Sequence, residues 1–578
     1  MQMKLKIIHM YKAYSNGLRA RTFNGPGKSD AMHFFLLVSL FAIALLVGTT
    51  AYAQDKTSEI DKIFSWATSD SPGCTCAVSL NGELVVNRAY GSADLERELP
   101  ITPSTVFDAG SLQKQFVAAA ALILVEDKKI SLSEDIRKYL PDLPEYGHKI
   151  TIDHLLTHTS GVRDWTGLLM LAPGKPDVLS LILRQRGLNF APGEEFSYSN
   201  SGVVLAKEIV ARMSSMSFAE FTRKRMFEPL KMKSTQYRED IRGIENGALA
   251  YEKEDGSWTT AMMLGNQRGG GGVFSTSEDL ILWNEGMANN RLGAFVSEKL
   301  HEPTTLNNGR KLDYTRGLFL KTHRGAKLIW HTGSAEGYKS FLGRFPEHGL
   351  SIAIMCNSGD DTDREEFAAR IFDLFVPAAG DQPFAEGDGP PPPAPEGMDM
   401  ASKAGLFIND RTGQLLRLAV DRGRFRIADG PGLVPVTDDH FRRWGASLQF
   451  MSGDEFELRF QSADQFDLKS MDGKTTRYRR AEPYAPASNN LKAFVGRYKC
   501  DDLGTVIGIE PGDDGLAMSL EHMPGRRLEF KPATLDTFQF SRMTIRFNRD
   551  KAGKVNAFEL SNPMLRNLKF KRQPRQSP

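Results

Sequence analysis

Ser111 and Lys114 stand three residues apart in the stretch Phe107 to Ala120, at the head of an alanine-rich apolar run that reads as a buried helix. Side chains at i and i+3 share a helical face, so the Lys114 amine can reach the Ser111 hydroxyl. Packing that strips water from the amine disfavours its charged form and makes it a proton acceptor near neutral pH. A weak hydroxyl needs that acceptor to become a nucleophile. Gly110 permits a tight entry into the helix and close approach of a substrate to the backbone. The Ser111 N–H falls among the unpaired donors of a helix start, where an oxyanion can be held. Alone, the tetrapeptide is better explained as two polar residues near a helix start, so the weight rests on partners downstream.

Two further clusters supply them. Tyr198 and Asn200 lie two residues apart in the loop Pro192 to Gly202, just before a helical pattern. A phenol and an amide on one side of an extended segment provide a second proton-transfer group and a donor for a substrate carbonyl. His331, Thr332, Gly333 and Ser334 then interrupt an otherwise apolar strand. Glycine lets a substrate lie against the strand edge, and the following N–H can serve as a second oxyanion donor.

The positioning elements are legible in outline. A first helix is expected over Ser58 to Ala67, then a hairpin from Cys74 to Leu80 and Leu84 to Tyr90 about Asn81-Gly82. Helical patterns dominate from 111 to 290, with Thr276 or Ser277 as a candidate cap. Strands return at Leu328 to Thr332, Ser340 to Phe345 and Leu350 to Cys356. This order describes an α+β unit with one antiparallel sheet. The expected organisation is a leader over 1–53, a catalytic unit over 54–378, a proline-rich linker over 379–398, and β-rich units over 399–482 and 490–574. The β-rich units share a faint repeat: Gly405-Leu-Phe407 opens one and Gly496-Arg-Tyr498 the other, while Arg477-Tyr-Arg-Arg480 closes the first and Lys569-Phe-Lys-Arg572 the second. Short, regularly spaced strands predict two small antiparallel barrels, with a two-sheet sandwich as the alternative.

Composition narrows the function classes. Seventy-three basic residues against 71 acidic ones imply neither nucleic acid nor an acidic surface as partner. The apolar run Phe34 to Val47 has the length of a signal-peptide core, and Ala51-Tyr52-Ala53 a cleavage site. Export to the periplasm or beyond is therefore expected, with Gln54 opening the mature chain, Met32 an alternative start, and an uncleaved anchor the competing reading. The membrane enters only through this segment. Cys74 and Cys76, two apart on one strand, cannot bridge each other and read as free thiols by default. His154 and His158 have the spacing of a zinc pair but lack the Glu between them, so no metal and no cofactor is expected.

The ordered clusters resemble the penicillin-recognising serine hydrolases, in the branch of class C β-lactamases, D,D-peptidases and D-aminopeptidases. Ser111-Leu-Gln-Lys114 is similar to the nucleophile motif, Tyr198-Ser-Asn200 to the second and His331-Thr-Gly333 to the third. Leu155 to Gly161 and Gly269 to Leu280 are similar to accessory stretches of the branch. The resemblance, over about residues 58 to 376, implies a β-lactamase/transpeptidase-like domain with a five-stranded antiparallel sheet, followed by two lipocalin-like barrels. It implies Ser111 as nucleophile, Lys114 and Tyr198 as proton carriers, the N–H groups of Ser111 and Ser334 as oxyanion donors, and Asn200 orienting the acyl group. His331 replaces the usual lysine of the third motif and is expected to be a weaker, titratable partner for a substrate carboxylate near pH 7. With the two barrels it points to D-aminopeptidase-like cleavage of a short peptide, amide or ester rather than to β-lactam turnover. A non-catalytic protein binding cell-wall fragments is the reading from another class. The resemblance also implies that the first strand lies antiparallel to the last, bringing Cys74 or Cys76 near Cys356 and leaving Cys500 unpaired. The oligomeric state stays open.

Overall fold

The computed structural model describes residues 56–574, apart from 175, 262–270, 360–362, 377–396, 410, 429, 444–455, 471–473, 483, 485 and 487. The expected signal segment and the proline run of the linker lie outside the described residues.

Cys74–Leu80 (β1) and Glu83–Tyr90 (β2) form the expected hairpin, with Asn81 and Gly82 both at positive φ, 53° and 84°. An Asn-Gly turn adopts this handedness because it matches the twist of the flanking strands. Phe319–His323 (β3), Ala326–Ala335 (β4), Tyr338–Phe345 (β5) and Leu350–Cys356 (β6) complete an antiparallel sheet in the order β3-β4-β5-β6-β1-β2. The sheet thus has six strands rather than five. The additional strand, β3, alternates over only five residues and becomes a strand by pairing with β4 across the Arg324-Gly325 turn.

Gln113–Glu126 (α1) is buried on every side from Lys114 to Leu124, which its run of alanines and aliphatics dictates. Asn200–Ser214 (α2) and Ser277–Ala288 (α3) pack beside it, capped by the side chains of Ser199 and Thr276. Trp283 of α3 sets its ring edge-on to Phe116, centroids 4.6 Å apart, and its indole N–H donates to Gln115 Oε1 at 2.6 Å. Arg364–Phe375 (α4) lies against β5 and β6. Because β1 and β6 pair with Cys74 opposite Cys356, those two form a disulfide. Cys76 faces Ile354 and stays a buried thiol, as does Cys500. The default reading of Cys74 as a free thiol is corrected by this register.

The strands from Gly405–Asn409 to Thr475–Arg480 make an eight-stranded antiparallel sheet, with an isolated bridge between Arg426 of one end strand and Gly432, just before the other. Those from Gly496–Cys500 to Leu565–Arg572 close into an eight-stranded barrel. The sequence repeat has a common geometry. Phe407 pairs with Arg480 and Tyr498 with Arg572, and each guanidinium lies over the aromatic ring, 4.8 and 5.8 Å from its centroid. The closed barrel shares one apolar cluster with the α+β portion, whereas the first sheet keeps a core of its own around Phe407, Phe441 and Phe466. The hairpin tip of the closed barrel presses on the α+β portion. Asn562 Nδ2 donates to Gly167 O at 3.2 Å, and the N–H of Asp164 donates to Met564 O at 3.3 Å.

Candidate active site

The turn Gly110–Leu112 delivers Ser111 at the head of α1, and two glycines let the sheet come up against it. Gly110 has φ of 55°, and a Cβ there would stand 2.8 Å from the backbone nitrogen of Ser334. A Cβ on Gly333 would collide with the carbonyl oxygen of Ala109 and the hydroxyl of Ser340. Ser340 Oγ instead donates to Ala109 O at 2.9 Å, tying the serine turn to the sheet. Strand β4 therefore crosses the turn at backbone contact distance, bringing Ser334 N beside the backbone that precedes Ser111.

Lys114, 4% exposed, donates to Ser111 Oγ at 3.0 Å and to Asn200 Oδ1 at 3.0 Å. Its amine also stands 4.4 Å from the centroid of the Tyr198 ring. Burial drives its pKa down against an opposing pull from the Asp164 carboxylate, and the balance leaves it at about 7. An amine poised there takes and returns a proton at neutral pH, the property general base catalysis requires.

Asp164 organises the second cluster. Its carboxylate accepts the backbone N–H of Asn200 and, at 3.3 Å, that of Ser201, so it sits at the start of α2. It also caps the short helix Trp165–Leu169 by accepting from Thr166 N at 2.9 Å. One anion thereby serves two helix starts, where anions are favoured, and fixes the amide of Asn200 against Lys114.

His158 anchors the loop on the other side. Its carbonyl accepts from Ser197 N at 2.9 Å and its Nδ1 from Ser199 N at 3.2 Å, and its ring lies 4.5 Å from that of Tyr198. Burial, followed by the positive charge of Lys114, pushes its pKa well below the usual histidine value, so it is a neutral bracket for Tyr198. His154 points elsewhere, accepting Thr151 N in a capping box.

His331 is 1% exposed and packed among Tyr198, Tyr314 and Phe319, with ring centroids 6.1, 6.5 and 5.2 Å away. Burial, then the positive charge of Lys114, with Arg364 adding to it, lowers its pKa to about 3. The expectation of a partner that titrates near pH 7 is thus corrected: the surroundings keep this imidazole neutral. Its Nδ1 faces the carbonyl of Thr332, which can only accept, so the proton sits on Nδ1 and Nε2 is left as an acceptor. Thr332 is buried in the same strand. Positive charge comes instead from Arg364, whose Nη2 donates to Ser334 Oγ at 3.3 Å.

The structure gathers Ser111, Lys114, Tyr198, Asn200 and His331 around one amine and sets Thr332, Gly333 and Ser334 along the strand beside them. Sequence reasoning missed Asp164, Arg364 and Tyr314, and noticed His158 as an unsuited zinc ligand and within the accessory stretch Leu155 to Gly161, without a role. Asp164 carried a faint signal, an Asp just before Trp-Thr that reads as a helix cap. The other two carried none, because each comes to the site through tertiary packing.

Residues 61–374 match the Beta-lactamase family. The chain belongs to that family. It is a serine hydrolase. It is similar, at 24% identity over 533 residues, to a D-aminopeptidase of Brucella canis, the match covering 87% of this chain and 96% of that protein. Similarity to Penicillin-binding protein 4* of Bacillus subtilis, 27% over 316 residues, covers 50% of this chain and 69% of that one. The fold is shared with an octameric penicillin-binding protein homologue from Pyrococcus abyssi, with a TM-score of 0.50, 21% identity, and coverage of 75% of this chain and 100% of that chain.

Proposed function

We propose that the protein is an exported hydrolase of short peptides, amides or esters, D-aminopeptidase-like, acting through an acyl-Ser111 intermediate. The observation that carries the reading is the buried Lys114 amine, 3.0 Å from the Ser111 hydroxyl and poised near neutrality. Ser111 Oγ attacks the carbonyl carbon as its proton passes to Lys114 Nζ. The N–H groups of Ser111 and Ser334 hold the oxyanion, and Asn200 orients the acyl group. The C–N or C–O bond breaks as the leaving group takes the proton through Lys114 and Tyr198. Water then attacks the acyl ester by the reverse proton route.

The D-aminopeptidase reading is supported by similarity that runs on through the β-rich part of the chain, whereas the penicillin-binding relative matches half of it. Export is supported by the apolar Phe34 to Val47 run and by a disulfide, which an oxidising compartment favours. Arg364 beside Ser334 favours a second reading, a D,D-carboxypeptidase whose substrate carboxylate meets that guanidinium.

A serine-directed fluorophosphonate should label the protein and leave Ser111→Ala unlabelled. A panel of D-alanyl amides, D-alanyl-D-alanine peptides, acyl esters and a chromogenic cephalosporin then separates the readings. Turnover of D-alanyl amides with little cephalosporin hydrolysis is expected. Exclusive turnover of the free-carboxylate peptides favours the second reading, and absence of labelling removes both in favour of a binding protein.

A further inference from the structure

Where the first eight-stranded sheet, the closed barrel and the hydrolase portion meet, a cavity of about 550 Å³ opens. Five arginines line it: Arg411 and Arg479 from the first sheet, and Arg542, Arg546 and Arg566 from the barrel. Among the described residues, two carboxylates, Glu194 and Glu559, share the wall. Behind it lies Glu195, buried, accepting from Arg411 at 2.9 Å, from Arg566 at 3.1 Å, and from Lys474 at 3.0 Å. Counting Glu195 and Lys474 with the wall leaves the excess of positive charge unchanged, because the two cancel.

The remainder of the lining is suited to oxygen-rich ligands. Asn562, Ser561 and Thr544 add amides and hydroxyls, whereas Phe190 and Ile408 are its apolar members. The turn at Gly413, with φ of 69°, lies so close to the barrel that a Cβ there would stand 2.7 Å from Arg546 Nη1. That approach puts a guanidinium from each side across one cleft. Arg546 is further paired with Glu559 at 3.0 Å, and Arg566 lies 5.7 Å from the Phe190 ring centroid, contacts that orient the two forks. Oriented guanidiniums in a partly enclosed space repel one another and match the paired oxygens of phosphate and carboxylate groups.

We infer that this three-way junction is a binding site for a small molecule carrying two or more phosphate or carboxylate groups. The volume is that of an ordinary metabolite pocket, larger than one phosphate needs. The site is separate from the serine pocket, sharing no residue with Ser111, Lys114 or Tyr198, and so stands whatever substrate those residues take.

Calorimetric titration of the full chain at low ionic strength with pyrophosphate, and separately with citrate, tests it. Saturable binding of at least one of them at one site per chain, with Kd at or below about 100 μM, is expected. The arm that binds more tightly assigns phosphate or carboxylate as the preferred group. Replacing Arg479 and Arg542 together by glutamine should weaken that binding tenfold or more, and the single replacements R479Q and R542Q should each weaken it if the pair does not fold. No saturable binding of either probe below about 1 mM, or affinity unchanged in the variants, overturns the proposal.

Discussion

The ionisation of Lys114 gives the sharpest test of the proposed chemistry. In water this amine titrates at 10.5, and burial against the pull of Asp164 brings it to about 7. At pH 7 about half of the molecules therefore hold a free amine, against roughly 1 in 3000 for an unshifted lysine, a gain of about a thousandfold in competent base. The rate constant kcat/KM for an ester without its own amine, such as 4-nitrophenyl acetate, should rise with pH to a plateau on a single limb at about pH 7. Asp164→Asn removes the carboxylate that favours the ammonium, so the limb should move to lower pH while the plateau falls because Asn200 loses its anchor. Stopped-flow or plate assays over the pH range at constant ionic strength read both effects. A limb above about pH 9, or an alkaline shift in the Asp164 variant, refutes the reasoning that burial makes this lysine the base.

Other consequences can be checked independently. Gly333→Ala places a methyl group against Ala109 O and Ser340 Oγ, so it should lower stability by about 1–3 kcal/mol in urea unfolding and cut turnover by about a hundredfold or more by moving an oxyanion donor. Thiol titration of the fully unfolded, unreduced protein should count two groups, Cys76 and Cys500, and four only after reduction. Burial raises the Glu195 pKa, but Arg566, Lys474 and Arg411 outweigh it and hold the carboxyl at about 2, below its ordinary 4.5. The stabilisation this represents, about 3 kcal/mol, is complete above the unfolded value and lost as pH falls through the folded one. Denaturant unfolding should therefore show Glu195→Gln less stable by about that amount at pH 7, with the gap closing below about pH 4.

The catalytic clusters were readable because each carries its chemistry within a few consecutive residues. Ser111 and Lys114 share a turn of helix, Tyr198 and Asn200 a loop, and His331 to Ser334 one strand. The charge state of His331 was not readable, since only packing against Tyr314 and Phe319 removes its water. Asp164 was invisible as a partner of Asn200 because 36 residues separate them and a helix start in three dimensions joins them. Strand β3 was missed because five residues of weak alternation become a strand only through a neighbour. The disulfide partner could be narrowed to two cysteines, and the register against β6 decided between them. The arginines of the junction escaped notice because they are scattered between 411 and 566 and converge only where the first sheet meets the barrel.

The contact between Met564 and Asp164 ties the last hairpin of the chain to the proton inventory of the serine pocket. The barrel tip bears on the very segment whose carboxylate opposes the effect of burial on Lys114. Trimming the chain after α4 would thus retune the base as well as uncover a surface, and the shortened protein would work best at a different acidity.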